Sequence, residues 1–239
     1  MIRIAFRGLL AAARRELGAT GALLIVALGA WGFLSIADEV AEGETRALDM
    51  AVLRALRVDS QPHELVGPQW LHLAATDITA LGSVAVLALL ILMAFALLAS
   101  LRRWTEGLLL IAGAGGGLVI SQTLKRVFER ERPDLVYRAV EAVNASFPSG
   151  HAMLSAVVFL TLGVLAARFA DKRRVKVLAM VSAVLISLLV GISRVYLGVH
   201  WASDVLAGWC VGAAWAMTCW FAAFLVQRRF KPSSVSGAT

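Results

Sequence analysis

The sequence predicts an all-α fold: a polytopic membrane helix bundle with six transmembrane helices and a short interfacial helical segment between the first and the second. Two observations predict it. The 239 residues are 59% hydrophobic and only 16% charged, whereas a soluble domain carries about 25% charged residues. The apolar residues also form long runs, and the charged residues fall between those runs. This composition excludes a disordered chain, a disulfide scaffold and most water-soluble single domains.

Six apolar runs have the length of about 20 residues that a helix needs to cross a hydrocarbon layer of about 30 Å. They are residues 18–37, 78–101, 107–124, 151–170, 175–195 and 202–226. The first run ends on Ser35-Ile36-Ala37, which resembles a signal-peptide cleavage site. Its apolar stretch is longer than that of a typical signal peptide, which favours an uncleaved membrane anchor.

The polar segments complete a single membrane-embedded domain over residues 1–239. Residues 1–16 form a basic, amphipathic leader, and residues 232–239 form a polar tail that we expect to be disordered. Residues 38–77 carry eight acidic residues and three arginines, and we expect this segment at the outer membrane surface. Spaced apolar residues within it predict a short helix lying on that surface: Leu48, Val52, Leu53 and Leu56.

The basic residues indicate the orientation. With both termini in the cytoplasm, 14 of the 23 Lys and Arg residues lie on the cytoplasmic side, as the positive-inside rule requires. Six of the nine outer ones cluster in two loops: Lys125, Arg126, Arg130, Arg132, Arg138 and Arg194. An anionic ligand at the outer face would explain them. The net charge of +7 does not predict nucleic-acid binding, because the basic residues adjoin apolar runs.

Two further features predict packing rather than chemistry. The run 113–117 is glycine-rich like a phosphate-binding loop, but it lies within a predicted span and follows no strand. Close helix packing through small residues is therefore favoured. Cys210 and Cys219 lie nine residues apart in the last span, about 13 Å along a helix, and cannot form a disulfide with each other.

Chemistry-bearing residues fall in three segments, all at the predicted outer face: 125–133, 148–151 and 193–204. In the second segment, Ser149 is positioned to cap a helix whose free N–H groups and dipole favour an anion. His151 lies in the first turn of that helix, where it could donate a proton to a leaving oxygen. Taken alone, a capping serine followed by a histidine is more often structural than catalytic.

In the third segment, His200 and Asp204 are four residues apart, so on one helix they would share a face. A carboxylate that accepts one imidazole N–H leaves the other nitrogen free to attack an electrophile. A structural His–Asp contact is the alternative for an isolated pair. Arg194 ends the fifth span, where a charge is costly unless it is paired or faces water, so we expect it to face a polar cavity.

In the first segment, Lys125 and Arg132 are seven residues apart, which corresponds to two turns of one helix face, and Pro133 would end that helix. Such a pair can clamp a phosphate, because arginine supplies a planar fork and lysine a point charge. The alternating charges between them are typical of a solvated stretch, and we assign them no catalytic role: Arg126, Glu129, Arg130 and Glu131.

The three segments together read Lys-x6-Arg-Pro, Pro-Ser-Gly-His and Ser-Arg-x5-His-x3-Asp. This pattern resembles the three-part signature of the type 2 phosphatidic acid phosphatase superfamily. All eleven specified positions match, in order, between residues 125 and 204, about a third of the chain. The six predicted spans resemble the integral-membrane branch of that superfamily.

The resemblance implies that His200 is the nucleophile, that Asp204 orients it and that His151 is the general acid. It also implies a set of groups that bind the phosphoryl oxygens: Lys125, Arg132, Arg194, Ser149 and the backbone N–H of Gly150. Ser193 belongs to the motif as a supporting residue. No metal or other cofactor is implied, because three fixed cations already neutralise the phosphate. His63 and His72 are expected to be interfacial rather than ligands.

The resemblance predicts a lipid phosphatase in the bacterial inner membrane, with its active site at the periplasmic face and a phosphohistidine intermediate. Undecaprenyl diphosphate is slightly favoured as substrate because the site faces outward, and phosphatidylglycerophosphate or phosphatidate comes next. A vanadate-dependent haloperoxidase shares the signature, but six spans argue against it. A non-catalytic lipid-binding or transport protein is the other alternative, against which the intact His151, His200 and Asp204 argue.

Overall fold

The computed structural model describes residues 2–59, 61–142 and 144–229, with side chains described between residues 18 and 225. This part of the chain is mainly helical. Its helices are α1 (Ile2–Glu42), α2 (Arg46–Ala55), α3 (Gln69–Ala80), α4 (Val84–Ser100), α5 (Trp104–Phe128), α6 (Gly150–Phe169), α7 (Arg173–Tyr196) and α8 (Ala202–Arg229). A single 3-10 turn, Leu135–Tyr137, lies between α5 and α6. The predicted tail, residues 232–239, lies outside the described residues.

Five of the described helices are long and apolar enough to cross a membrane: α1 from Gly18, α5, α6, α7 and α8 up to Leu225. α3 and α4 pass the same test only as a pair, which is bent by 53°. The described chain therefore has five candidate spans, or six if the bent pair is one span. The helical, multi-span prediction is confirmed, whereas the count of six stays a prediction.

The predicted continuous helix over residues 78–101 is wrong, because the chain breaks between α3 and α4. Ser83 caps α4, where its Oγ accepts a hydrogen bond from the N–H of Val86 at 3.3 Å. Gly82 stands at the break, and a Cβ there would lie 2.5 Å from Cγ1 of Val190. The chain thus turns at a position that only glycine can occupy without displacing α7.

The polar segment between α1 and α3 contains the helix that the sequence predicted, observed as α2. Leu53 in α2 is buried, whereas Leu48 is exposed. The segment also contains a small hairpin that was not predicted, in which β1 (Arg57–Val58) pairs antiparallel with β2 (Gln61–Leu65). These strands are too short and too polar to give an alternating apolar pattern. That α2 lies on a membrane surface stays a prediction.

Glycines allow the spans to pack closely around α8, which contacts α1, α5, α6 and α7. A Cβ at Gly29 of α1 would lie 2.7 Å from the carbonyl oxygen of Cys210, and one at Gly116 of α5 would lie 2.4 Å from the indole of Trp215. The prediction that run 113–117 serves helix packing is confirmed at Gly113, Gly116 and Gly117, whereas Gly115 meets nothing within 4 Å. Cys210 and Cys219 are free thiols, also as predicted.

The order of the helices brings the three chemistry-bearing segments to one end of the bundle. The ends of α5 and α7 and the beginnings of α6 and α8 meet there. The backbone N–H of Ser149, before α6, donates to the carbonyl of Asp204 in α8 at 2.9 Å. We call this end of the bundle the motif end. The short connections α4–α5 and α6–α7 lie at the opposite end.

Candidate active site

Side chains from all three segments make direct contacts at the motif end. Arg132 of the first segment donates from Nη1 to the carbonyl of Val199, within the third, at 2.6 Å. Lys125 donates from Nζ to the carbonyl of Ala145, which leads into the second segment. The structure therefore brings the three predicted segments into one cluster.

His200 and Asp204 form the predicted pair at the centre of this cluster. Nδ1 of His200 lies 3.2 Å from Oδ2 of Asp204, and the two residues are 2% and 0% exposed. Their expected position on one helix is wrong, since His200 precedes α8. Asp204 lies at the third position of α8 and accepts the backbone N–H of Trp201 at 2.9 Å, as a capping carboxylate does.

The surroundings of His200 determine which nitrogen carries its proton. Nε2 lies 3.1 Å from Nη1 of Arg132, and a guanidinium can only donate. Nε2 is therefore the acceptor, and the proton resides on Nδ1, towards Asp204. Burial lowers the pKa of His200 to about 3, against the raising effect of Asp204 and with a smaller lowering by Arg132 and Arg194. At neutral pH His200 is thus an uncharged base.

The three predicted cations lie close enough in this cluster to interact electrostatically, although not as expected. α5 ends at Phe128, and Glu129 has left-handed backbone angles with φ 43°. Lys125 and Arg132 are therefore not on one helix face. They meet at the carbonyl of Ala145, which accepts a hydrogen bond from Lys125 and which Nη2 of Arg132 approaches at 3.4 Å. Burial lowers the pKa of Arg132.

Arg194 approaches from α7 as the third cation. It is 6% exposed, and its Nη1 donates to Oγ1 of Thr79 in α3 at 3.0 Å. Its Nε has no partner among the described residues. Ser193, next to it, donates from Oγ to the carbonyl of Val190 within α7, which is a helix contact rather than a contact with the cluster.

The beginning of α6 completes one side of the cluster. Ser149 is its N-cap and accepts from the N–H of Ala152 at 3.5 Å, as predicted. A Cβ at Gly150 would lie 3.4 Å from Oγ of Ser121 and 3.7 Å from Cε of Lys125. The first turn of α6, with its N–H groups, therefore lies beside Lys125. This arrangement suits an anion.

His151 lies in the same turn and is partly buried. Its imidazole forms no hydrogen bond with any residue that the structure describes, and Gly82 packs against it. Its charge state is coupled electrostatically to Arg194, Arg132 and Lys125. Two of these three cations, Arg132 and Arg194, are also coupled to His200. The two histidines thus share one cationic environment.

The sequence missed a second layer of residues around Asp204. Arg130, expected to be solvated, has a side chain only 12% exposed and donates to Oδ1 of Asp204 at 2.6 Å. Ser146 donates from Oγ to Oδ2 of Asp204. Asp49 of α2 pairs with Arg130 at 2.8 Å. The one available signal was the excess of positive charge in the first segment.

The remaining polar candidates lie apart from the cluster. The ring of His72 is 6.0 Å from that of Tyr196, in the layer formed by α3 and α7, and His63 lies in β2. Among the residues that the structure describes, no group of three or more His, Cys, Asp or Glu side chains is arranged to hold a metal ion.

Comparison with known proteins gives a consistent family. The family model of the PAP2 superfamily matches residues 106–228. Phosphatidylglycerophosphatase B of Bacillus subtilis is 34% identical over 183 residues, covering 75% of this chain and 85% of that protein. The undecaprenyl-diphosphatase of Sulfolobus acidocaldarius is 40% identical over 68 residues, 28% of this chain and 29% of that protein.

A solved structure agrees with these matches. The transmembrane PAP2 type phosphatidylglycerolphosphate phosphatase from Bacillus subtilis superimposes with a TM-score of 0.75 at 30% identity, covering 87% of this chain and 98% of that one. Membership of one family thus explains both the three sequence motifs and the fold. The chain therefore belongs to the PAP2 superfamily, in its branch of integral-membrane lipid phosphatases, which confirms the resemblance of the three motifs.

Proposed function

We propose that the enzyme hydrolyses a lipid phosphomonoester or diphosphate through a phosphohistidine on His200. The observation that carries the proposal is the buried His200–Asp204 pair. Nε2 of His200 carries no proton and faces Arg132. A phosphate placed there would have its oxygens among Lys125, Arg132 and Arg194, with the first turn of α6 beside them. Ser149 and the N–H of Gly150 would add hydrogen bonds.

In the first step, Nε2 of His200 attacks phosphorus and a P–N bond forms. The bond between phosphorus and the leaving oxygen breaks, and His151 supplies the proton that this oxygen takes up. Asp204 accepts the Nδ1–H of His200 throughout, and its charge stabilises the imidazolium that develops. The imidazole of His151 has no hydrogen-bond partner among the described residues, so it is free to turn towards the leaving oxygen, and the negative charge of the bound phosphate favours its protonated form.

In the second step, water attacks the phosphohistidine. His151, now neutral, accepts a proton from that water, the P–N bond breaks, and inorganic phosphate leaves. The three cations stabilise the charge on the equatorial oxygens in both steps. The cationic set supplies the neutralisation that a metal ion supplies elsewhere, so we propose that catalysis needs no metal.

Two lipid classes are candidate substrates, because every residue assigned to the site acts on the phosphate end of the lipid. The outward orientation favoured undecaprenyl diphosphate, whereas the longer match to phosphatidylglycerophosphatase B supports phosphatidylglycerophosphate. We place phosphatidylglycerophosphate first and undecaprenyl diphosphate second, with phosphatidate as a further candidate.

We also propose the membrane arrangement. α3 and α4 act as one broken span, which gives six spans, α2 lies at the membrane surface, and residues 1–239 form one domain. The connections rich in Lys and Arg, at 101–103 and 168–176, lie opposite the motif end. The positive-inside rule then places both termini and the leader 1–16 in the cytoplasm and the site at the periplasmic face of the inner membrane. The packing of Gly29 on α8 supports an uncleaved first span.

The decisive experiment is phosphate release by the purified enzyme from phosphatidylglycerophosphate, undecaprenyl diphosphate and phosphatidate, with and without EDTA. We expect release from at least one lipid, unchanged by EDTA. His200→Ala should abolish both turnover and covalent ³²P labelling. Phosphate release that persists in His200→Ala would show that His200 is not the nucleophile. Wild-type enzyme that releases nothing from any of the lipids would exclude the phosphatase activity.

A further inference from the structure

A chain of buried charges leads away from the catalytic pair, on the side of Asp204 opposite His200. Oδ1 of Asp204 accepts from Nη1 of Arg130 at 2.6 Å, and Nη2 of Arg130 donates to Oδ2 of Asp49 at 2.8 Å. Nη2 also donates to Oγ1 of Thr45 at 3.0 Å. One guanidinium therefore bridges two carboxylates that are 0% and 1% exposed.

Arg130 is the cation that contacts Asp204 directly, whereas Lys125 and Arg132 act on Asp204 only electrostatically. A carboxylate without water is costly unless a cation and hydrogen bonds compensate it. Its Oδ2 is occupied by neutral donors, the Ser146 hydroxyl and the Trp201 N–H, besides His200. Two described residues lie within ion-pair distance of Asp204, namely Arg130 and His200. Because His200 is uncharged, Arg130 is the only cation of the two.

Asp49 fixes the position of Arg130. It belongs to α2, outside residues 106–228 that match the family model. Its carboxylate also accepts the N–H of Ser203 at 2.9 Å and the hydroxyl of Ser203 at 2.6 Å. Asp49 thus joins α2 both to Arg130 and to the first turn of α8. The face of Trp201 lies under Arg130, 5.7 Å from its guanidinium carbon, and limits its movement further.

We propose that Arg130 and Asp49 are positioning residues for catalysis, which keep Asp204 ionised and aligned on Nδ1 of His200. Without Arg130, the two buried carboxylates that its guanidinium bridges would have no cation between them, and one of them would take up a proton or turn away. A neutral Asp204 would no longer stabilise the imidazolium of His200. The inference rests on the proposed phosphohistidine mechanism.

The test is the steady-state kinetics of the purified full-length enzyme in detergent, with dioctanoyl phosphatidate as the probe. We expect Arg130→Ala to lower kcat on the order of 100-fold, less than the roughly 10⁴-fold loss that follows disruption of a histidine-orienting aspartate. KM should change by less than about threefold, because the phosphate-binding cations are intact. Arg130→Lys, which keeps the charge, should recover part of kcat.

Asp49→Asn gives a second, milder variant. One amide oxygen cannot accept all three hydrogen bonds that the carboxylate of Asp49 accepts, so we expect kcat to fall about 10-fold, with little change in KM. Arg126→Ala is the matched control. Arg126 lies in the same segment but is exposed, and its loss should leave kcat and KM as in the wild type.

The outcomes separate positioning from simple structural support. If Arg130→Ala lowers only the melting temperature and the folded fraction keeps wild-type kcat, the inference is wrong. A rise in KM at unchanged kcat would also overturn it. If Arg130→Ala does not fold, Arg130→Lys and Asp49→Asn decide by the same criteria. A wild-type enzyme inactive on every lipid phosphate contradicts the proposed function instead.

Discussion

At the scale of single residues, the site combines an uncharged buried base with fixed cations. His200 faces a carboxylate on one nitrogen and a guanidinium on the other, and this arrangement alone assigns its tautomer. Burial outweighs the attraction of Asp204 and lowers the pKa of His200 to about 3. The proposed nucleophile is therefore unprotonated across the physiological range without a general base acting on it.

The lowered pKa of His200 predicts how stability depends on pH. An unfolded histidine has a pKa of about 6.5, so between pH 6.5 and about 3 the unfolded state binds a proton that the folded state does not. His200 therefore destabilises the fold progressively as the pH falls through this window and has no such effect above it.

We expect the melting temperature of the wild type to fall more steeply between pH 6.5 and 4 than that of His200→Gln, which has no titrating ring. Differential scanning fluorimetry in detergent measures both curves. Parallel curves over this range would show that the pKa of His200 is not lowered in the folded protein.

At the scale of secondary structure elements, helix ends position the chemistry and glycines hold the helices close enough for those ends to meet. α6 supplies its first turn, while α5 and α7 end on cations. The break between α3 and α4 brings Thr79 to Arg194 and Gly82 to His151. The glycines of α5 determine how closely it approaches α8, where Trp215 donates to the carbonyl of Gly113 at 2.7 Å.

Two neighbouring glycines of α5 give a matched test of this packing. A Cβ at Gly116 would lie 2.4 Å from the indole of Trp215, whereas one at Gly115 would meet nothing within 4 Å. Overpacking a core usually costs about 1–3 kcal/mol, so Gly116→Ala should destabilise the protein by about that amount. Gly115→Ala should be neutral or stabilising.

The midpoint of denaturation in detergent, followed by tryptophan fluorescence, compares these two variants directly. Equal effects of the two substitutions would contradict the role assigned to the close contact between Gly116 and α8.

At the scale of the whole molecule, α2 and the hairpin contact the elements that carry the candidate site. Arg57, at the start of β1, donates to the backbone carbonyls of Tyr137 and Tyr196, and so connects the hairpin to the loop after α5 and to the end of α7. Burial lowers the pKa of Arg57. The segment outside the matched family region therefore stabilises the arrangement of the motif end.

The proposed orientation can be measured with single cysteines. Leu135 is exposed near the motif end, and Asp171 is exposed in the connection at the opposite end. In intact cells, a membrane-impermeant maleimide should label Leu135→Cys at once and Asp171→Cys only after the inner membrane is permeabilised. The wild type, with Cys210 and Cys219 inside the last span, gives the background. Labelling with the opposite preference would reverse the topology.

Much of this protein follows from local sequence. Hydropathy located five of the candidate spans to within about five residues, because the cost of exposing a polar backbone to lipid leaves little choice except a helix. The three motifs predicted His200, Asp204, His151 and three cations as site residues, and the fold brings these segments together at one end of the bundle. The capping role of Ser149 was equally local.

Tertiary structure decided what local pattern could not. The break at Gly82 and the end of α5 at Phe128 depend on neighbours that pack there. Arg130 reads as a solvated residue in its own segment, yet it bonds to partners 74 and 81 residues away, Asp204 and Asp49. The energy of a buried ion pair depends on which charges the fold brings together and how far it excludes water, and neither quantity is encoded in the spacing of neighbouring residues.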